Sequence, residues 1–456
     1  MNTVKIHFLG ASGTVTGSKF YLETTERNIM VDCGMFQGLK ELRLLNWAPL
    51  PIDVSKIDVV LLTHGHLDHT GYLPRLVKEG FRGEIIGTRP TLDIARIILS
   101  DSAKIQEEEA EKANAEGYGK HRPALPLYTV KEAEKTIDLF RSNEKDKWIV
   151  LSDNIRFKFV YNGHIIGSTF IELEIFGKTF VFSGDIGRIK DPILAAPERP
   201  IWADYLFVES TYGNKLHPAE DVEGILVELV HKAINERGTL IIPSFAVERL
   251  QSLMYMLWQL YKKNKIPNIP IFIDSPMGNN VLSVFERFPE WHKLSLKEYR
   301  QMCDHFEIIS SYADTWKTID DPRPKIVIAG SGMVTGGRVL TYLKQLIDMP
   351  STSVLLVGYQ AEGTRGRQLY EGAHEIKLFG KYYPVKANIR HLESLSAHAD
   401  QNELLDWMGS IKNIPETVFL IHGEPLALDA LRVKIEFVHG WKVHIPKLNE
   451  IREYIL

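Results

Sequence analysis

The sequence predicts an α/β protein in which a parallel, doubly wound α/β domain is inserted into a second, β-rich domain. Three observations predict it. The first 200 or so residues read as short apolar strands separated by turns. From about residue 239, near-continuous apolar strands alternate with helical or polar segments, the pattern of a parallel sheet covered on both faces. After about residue 380 the earlier pattern returns. The boundaries that follow are 1–210 for the first part of the β-rich domain, 211–380 for the insertion and 381–456 for the returning part.

The elements support this order in turn. In the first part, strands are predicted at VKIHFLG (4–10), RNIMVDCG (27–34), IDVVLLT (57–63), IRFKFVYNG (155–163) and KTFVFSGD (178–185). Two helical stretches lie between them, near 91–116 and 130–142. The insertion is marked by TLIIPSF, IPIFIDS, PKIVIAG and SVLLVGY, with AVERLQSLMYMLWQLYKK the clearest of its helices. The returning part carries TVFLIHGE (417–424) and WKVHIP (441–446). No period of 20–50 residues repeats, which excludes solenoids and propellers.

Composition narrows the chemistry. Lys+Arg 54 against Asp+Glu 58 gives a formal charge of −4, so a nucleic-acid partner requires a local basic patch. Residues 101–116, with six acids and two lysines, read as a solvated helix face. Two cysteines, Cys33 and Cys303, exclude a disulfide framework and a thiolate zinc site. No apolar run approaches the roughly 20 residues that cross a bilayer, and the N-terminus has no signal pattern, so a cytoplasmic protein is expected.

The sharpest motif is THGHLDH, residues 63–69, which follows an apolar strand. A tight turn there points His64, His66, Asp68 and His69 into one cavity, and imidazole with carboxylate suits Zn²⁺. Asp32, His164, Asp185 and His422 each stand at the end of another apolar strand. Gathered along one sheet edge, these groups suffice for two zinc ions. His64, His66 and His164 are assigned to one, Asp68, His69 and His422 to the other, and Asp185 bridges them. Each metal keeps room for a shared hydroxide, and Asp32 orients a ligand imidazole. Cys33 reads as a packing residue, and the other ten histidines, His121 among them, are given no role.

HGHLDH with His164, Asp185 and His422 resembles the metallo-β-lactamase superfamily, whose αββα sandwich is the fold implied for the β-rich part. Flavodiiron relatives carry Glu at the position of His66, which argues against a di-iron centre. VESTYG (208–213), SAHAD (396–400) and HGE (422–424) are similar to motifs A, B and C of the β-CASP branch of these nucleases, and the resemblance spans the whole chain including the insertion. It implies that His398 is the general acid, that Glu209 orients it and raises its pKa, and that Asp32 and Asp68 belong to the catalytic set. His422, where DNA-acting members have Val, favours RNA as the partner. The appended domains of larger relatives, and an obligatory protein partner, are not expected.

RNA binding is expected from the insertion. GSGMVTGG (330–337), between strand and helix, offers backbone N–H groups to a phosphate, with Ser331, Gly332 and Thr335 as contacts. It misses the strict dinucleotide fingerprint. Arg249 in SFAVER resembles a family position near the RNA path. EGTRGR brings Arg365 and Arg367, within a stretch (361–390) of six Lys/Arg and three acids. Two-metal phosphodiester hydrolysis is thus the expected activity, endonucleolytic or 5′-exonucleolytic. A zinc hydrolase of a small ester, thioester or lactam, a DNA-directed nuclease and a non-catalytic scaffold are the competing classes.

Overall fold

In the computed structural model the described residues are 2–116 and 122–456; His121 lies outside them. The chain forms two compact units. One comprises Met1–Lys190, Ala196–Leu216 and His398–Leu456, the other Asp191–Ala195 and His217–Ala397.

The first unit contains two seven-stranded sheets among its described residues. One runs Ile451–Ile455, Thr3–Phe8, Phe20–Thr24, Ile29–Val31, Val59–Leu61, Glu84–Gly87 and Phe140–Ser142 in spatial order. The other runs Val443–His444, Thr417–Ile421, Tyr205–Glu209, Lys178–Phe182, Thr169–Ile175, Ile155–Tyr161 and Ile149–Ser152. Strand side chains alternate between faces, so each strand serves two cores. Phe8, Phe157, Phe182, Phe207 and Phe419 point between the sheets. Their rings stack there, Phe182 on Phe207 at 4.1 Å and Phe207 on Phe419 at 4.7 Å between centroids. Met30, Val60 and Ile85 point the other way, onto Leu73, Leu92 and Leu99 of the helices outside the first sheet. Leu206, Val418 and Leu420 likewise meet Leu404, Trp407 and Leu431 outside the second. Helix, sheet, sheet and helix are therefore stacked in four layers, the sandwich the resemblance implies.

The second unit holds a six-stranded, wholly parallel sheet in the order Glu307–Ile308, Ile271–Asp274, Lys325–Ala329, Thr239–Pro243, Ser353–Val357, Asn388–Leu392. Both faces are buried along the central strands, as their continuous apolar sequences require. The strand Asn388–Leu392 pairs with Ser353–Val357, so this sheet continues beyond residue 380, where the sequence reading ended it. That strand is only half-buried and carries Arg390 and His391, which hid its kinship with the apolar strands before it.

The helix read at 130–142 ends at Ile137. Its start is set by a capping box between Thr129 and Glu132. Phe140–Ser142 then adds an edge strand, pairing Phe140 with Ile85. Ala133, Ile137 and Phe140 keep a helical spacing of apolar groups, i, i+4 and i+7, so sequence pattern alone carries the helix through to Phe140. The first long helix covers Arg89–Glu116.

Candidate metal and catalytic site

The site is built at strand ends of both sheets of the first unit, where the sequence reading had one sheet edge. Asp32 follows Ile29–Val31 and the 64–69 turn follows Val59–Leu61, parallel neighbours in the first sheet. Asp185, Glu209 and His422 come from Lys178–Phe182, Tyr205–Glu209 and Thr417–Ile421, three parallel neighbours in the second. His164 follows Ile155–Tyr161 in that same sheet. Asp32 and His422 leave their strands with φ of 55° and 50°, a left-handed turn that Asp and His tolerate better than most residues. Gly34 lets the loop after Asp32 press on the 64–69 turn. A Cβ there would sit 1.5 Å from the Asp68 carbonyl oxygen. The contact is backbone to backbone, with Cys33 N–H donating to the His69 carbonyl at 2.7 Å and Ser18 N–H to that of Asp68 at 2.8 Å.

Two sets of donor atoms converge. In the first, His66 Nδ1 lies 3.1 Å from His64 Nε2 and 3.2 Å from His164 Nε2, and both Nε2 atoms lie 3.5 Å from Asp185 Oδ2. In the second, His422 Nε2 lies 3.3 Å from Asp68 Oδ2 and 3.4 Å from His69 Nε2, which is 3.3 Å from Asp185 Oδ1. Asp185 thus turns one oxygen to each set. Both sets form potential metal sites. Asp185 Oδ1 is buried and accepts no hydrogen bond, the condition of a ligand atom awaiting a cation.

Electrostatics agree. Burial holds His64 and His164 well below the usual imidazole range and brings His66 down to about 4, so all three present lone pairs. Burial would raise Asp185, yet the surrounding imidazoles, His422 first, hold it well below the usual carboxylate range. A further ring of contacts orients the donor atoms. The Asp32 carboxylate accepts from His69 Nδ1 at 2.7 Å and from Thr63 N and Oγ1, both at 2.8 Å. Burial would lower His69, yet Asp185 and then Asp32 hold it well above the usual imidazole range; its Nδ1 proton is committed to Asp32 and its Nε2 faces inward. Thr211 Oγ1 lies 3.1 Å from His422 Nδ1 in the same manner. Thr63 and Thr211 were missed in the sequence, although each stands inside a quoted motif, next to His64 or two residues after Glu209.

His398 stands next to the first set, its ring 4.5 Å from that of His164. Its backbone bridges to Gly187. Its Nδ1 is 3.1 Å from Oε1 of the fully buried Glu209, whose carboxylate also accepts from Ile186 N and Thr211 N. Burial pulls the His398 pKa down, but Glu209, with Asp185 and Asp68 behind it, outweighs this and lifts it to about 9.

The residues expected to hold RNA lie in the second unit. Ser331 and Thr335 come together, their hydroxyls 3.1 Å apart, and Ser331 Oγ accepts from the backbone N–H of Thr335 and of Gly336. Gly332 packs under Phe245, where a Cβ would come within 2.7 Å of the ring. Arg365 donates to the carbonyls of Lys377, Val334 and Thr335, so its guanidinium braces the 330–337 loop from behind. Arg367 is engaged by Glu371 at 2.6 Å. Arg249 opens the helix Arg249–Lys262 and lies largely buried against the backbone of Gly358.

Comparison with known proteins accords with this geometry. Residues 13–221 match the metallo-beta-lactamase superfamily, 250–369 the Beta-Casp domain, and 382–446 the Zn-dependent metallo-hydrolase RNA specificity domain. The chain is 34% identical over 449 residues to a ribonuclease of Thermus thermophilus, covering 97% of this chain and 98% of that one. It is 30% identical to an RNase J-like protein of Methanocaldococcus jannaschii, over 99% of each. A transcription termination factor, FttA, of the same archaeon is 29% identical over 94% of this chain and 72% of its own length. A crystal structure of an Enterococcus faecalis protein of unknown function superposes with a TM-score of 0.56 at 12% identity, over 99% and 100% of the chains, and shares the fold.

Proposed function

Because the chain belongs to the β-CASP branch of the metallo-β-lactamase superfamily, we propose that it is a two-zinc ribonuclease acting in the cytoplasm. The observation that carries the reading is Asp185 shared by two donor sets, with a His–Glu pair beside them. A tetrahedral zinc with ligands at about 2.0–2.1 Å has ligand–ligand edges of about 3.3 Å. The donor atoms within each set stand mostly 3.1–3.5 Å apart, which fits. His64, His66 and His164 would hold one ion, Asp68, His69 and His422 the other, and Asp185 both. Bound there, the pair supplies an activated water and neutralises charge at phosphorus.

The chain's own residues do the rest. Asp32 and Thr63 fix the His69 tautomer, and Thr211 steadies His422. The protonated His398 ring delivers its proton through Nε2 to the departing ribose oxygen. Glu209, on Nδ1, holds that proton in readiness. In the second unit, Ser331 Oγ sits where a phosphate oxygen would accept from Thr335 and Gly336 N–H. A backbone phosphate displacing that hydroxyl would take the two N–H donors, with Arg249, Arg365 and Arg367 supplying positive charge. RNA is favoured over a small ester because residues 382–446 match the RNA specificity domain and nearly the whole chain is similar to a ribonuclease.

The test is His398→Ala on two substrates. A ribose alkoxide is a poor leaving group, so RNA cleavage should fall on the order of 10²–10⁴-fold. A nitrophenyl phosphodiester leaves without a proton and should retain most of its rate. RNA affinity and metal content should stay near wild type. Equal losses on both substrates would assign His398 a structural role and overturn the mechanism. Product analysis on 5′-phosphorylated and 5′-hydroxyl RNA separates internal from 5′-terminal cleavage.

A further inference from the structure

The helix Pro425–His439, which follows the last ligand, is apolar on two opposite faces. Ala427, Leu428, Leu431 and Ile435 are buried, the last three in the core against the second sheet. On the far side Leu426 is 79%, Val433 51% and Phe437 86% exposed, with half-buried Ala430 between them. A helix with one covered face ordinarily turns polar residues to water, and one that is apolar on both sides is covered on both. The outward residues fall at i, i+4, i+7 and i+11. Alternating steps of four and three make the seam of two helices packed side by side.

The flanks say what lies across that seam. Asp429 and Glu436 border it on one side and Lys434 on the other. Asp429 precedes Lys434 by five residues, the offset at which flanking charges meet when two parallel helices face each other across a two-fold axis. Both Asp429–Lys434 pairs form in such a symmetric contact, since each copy offers both partners. Arg432 holds Asp429 at 2.7 Å and Glu436 at 2.9 Å from within its own helix and keeps both carboxylates along that border.

We propose that this face binds a second copy of the chain, helix against helix and parallel. Two heptads are too few to pair as free peptides, but this helix is already ordered by the sheet beneath it. The exposed apolar stripe amounts to a few hundred Å², less than the roughly 800 Å² per partner of a standard interface, which points to reversible association in the micromolar range.

Sedimentation velocity of the full chain between about 1 and 200 µM tests this. The wild type should pass from monomer to dimer. Phe437→Glu should remain monomeric throughout, with metal content and far-ultraviolet circular dichroism unchanged. Asp429→Lys and Lys434→Glu should each weaken association on the order of tenfold, and an equimolar mixture of the two should restore it, because both charge pairs are regained in the mixed dimer. A wild type that stays monomeric, or a Phe437→Glu chain that dimerises normally, would overturn the proposal. So would loss of RNA binding in Phe437→Glu at unchanged mass, which would give the face to nucleic acid.

Discussion

Replacing Asp32 by Asn separates a group that orients a donor imidazole from the donor sets themselves. The Asp32 carboxylate is buried and accepts three hydrogen bonds, from Thr63 N, Thr63 Oγ1 and His69 Nδ1. Asn has nearly the same shape but only one accepting atom. If its oxygen stays on Thr63 N, the amide NH₂ opposes the His69 Nδ1 proton. The imidazole must then give up that contact or move its proton to Nε2, the atom facing Asp185. If the amide turns over, the Thr63 N–H is left buried without an acceptor. Either outcome costs about 1–3 kcal/mol. The cost falls on the set containing His69, whose metal affinity should drop roughly 10–100-fold, while the His64–His66–His164 set keeps its affinity. Zinc titration against a chelator of graded strength reads the two affinities in one experiment. The wild type should show two tight steps and Asp32→Asn one tight and one weakened. Equal weakening of both steps, or of neither, would refute the role given to Asp32.

Three further outcomes are expected. Asp185→Ala removes the group shared by both sets, so zinc measured by atomic absorption should fall well below two per chain, with activity lost. His398 is held protonated chiefly by Glu209 against the effect of burial, so activity should fall as pH rises through its pKa, about 9 without metal and lower beside two cations. Glu209→Gln removes that support, and the alkaline limb of the kcat profile should move toward lower pH; an unmoved limb would detach Glu209 from the acid. Arg367→Ala should weaken RNA binding and flatten its dependence on salt, since a lost phosphate contact releases fewer counterions. An unchanged salt slope would leave Arg367 to its Glu371 pairing alone.

The residues that form the two donor sets were legible in the sequence because each follows an apolar strand, and strand ends are recognisable without the fold. THGHLDH adds a local signature, three histidines and an aspartate within one turn. The sheets were harder. Asp32 and the 64–69 turn belong to one sheet and His164, Asp185 and His422 to the other. Strand partnership depends on contacts distant in sequence, which no local pattern reports. The same reason hid Thr63 and Thr211, whose hydroxyls acquire a role only once His64, Asp32 and His422 are placed beside them. Arg365 shows the opposite failure. Its charge was legible, but its direction, into the carbonyls of Val334 and Thr335, was not.

Placing the site where two sheets meet has an energetic consequence. Five imidazoles and two carboxylates are gathered in a volume from which water is largely excluded, and three of those imidazoles are held neutral by burial. Such a cluster opposes folding, because its polar atoms give up water for partners that satisfy them incompletely, as the orphaned Asp185 Oδ1 shows. The left-handed turns at Asp32 and His422 add backbone strain at the same place. What offsets these costs lies directly beneath. The stacked Phe182, Phe207 and Phe419 rings sit on the strands that end in Asp185, Glu209 and His422, so the aromatic core that stabilises the sandwich also fixes where those strands stop. Rigid strands below and strained turns above hold the donor atoms in place before any ion arrives, and binding then need supply only what the cluster lacks: positive charge.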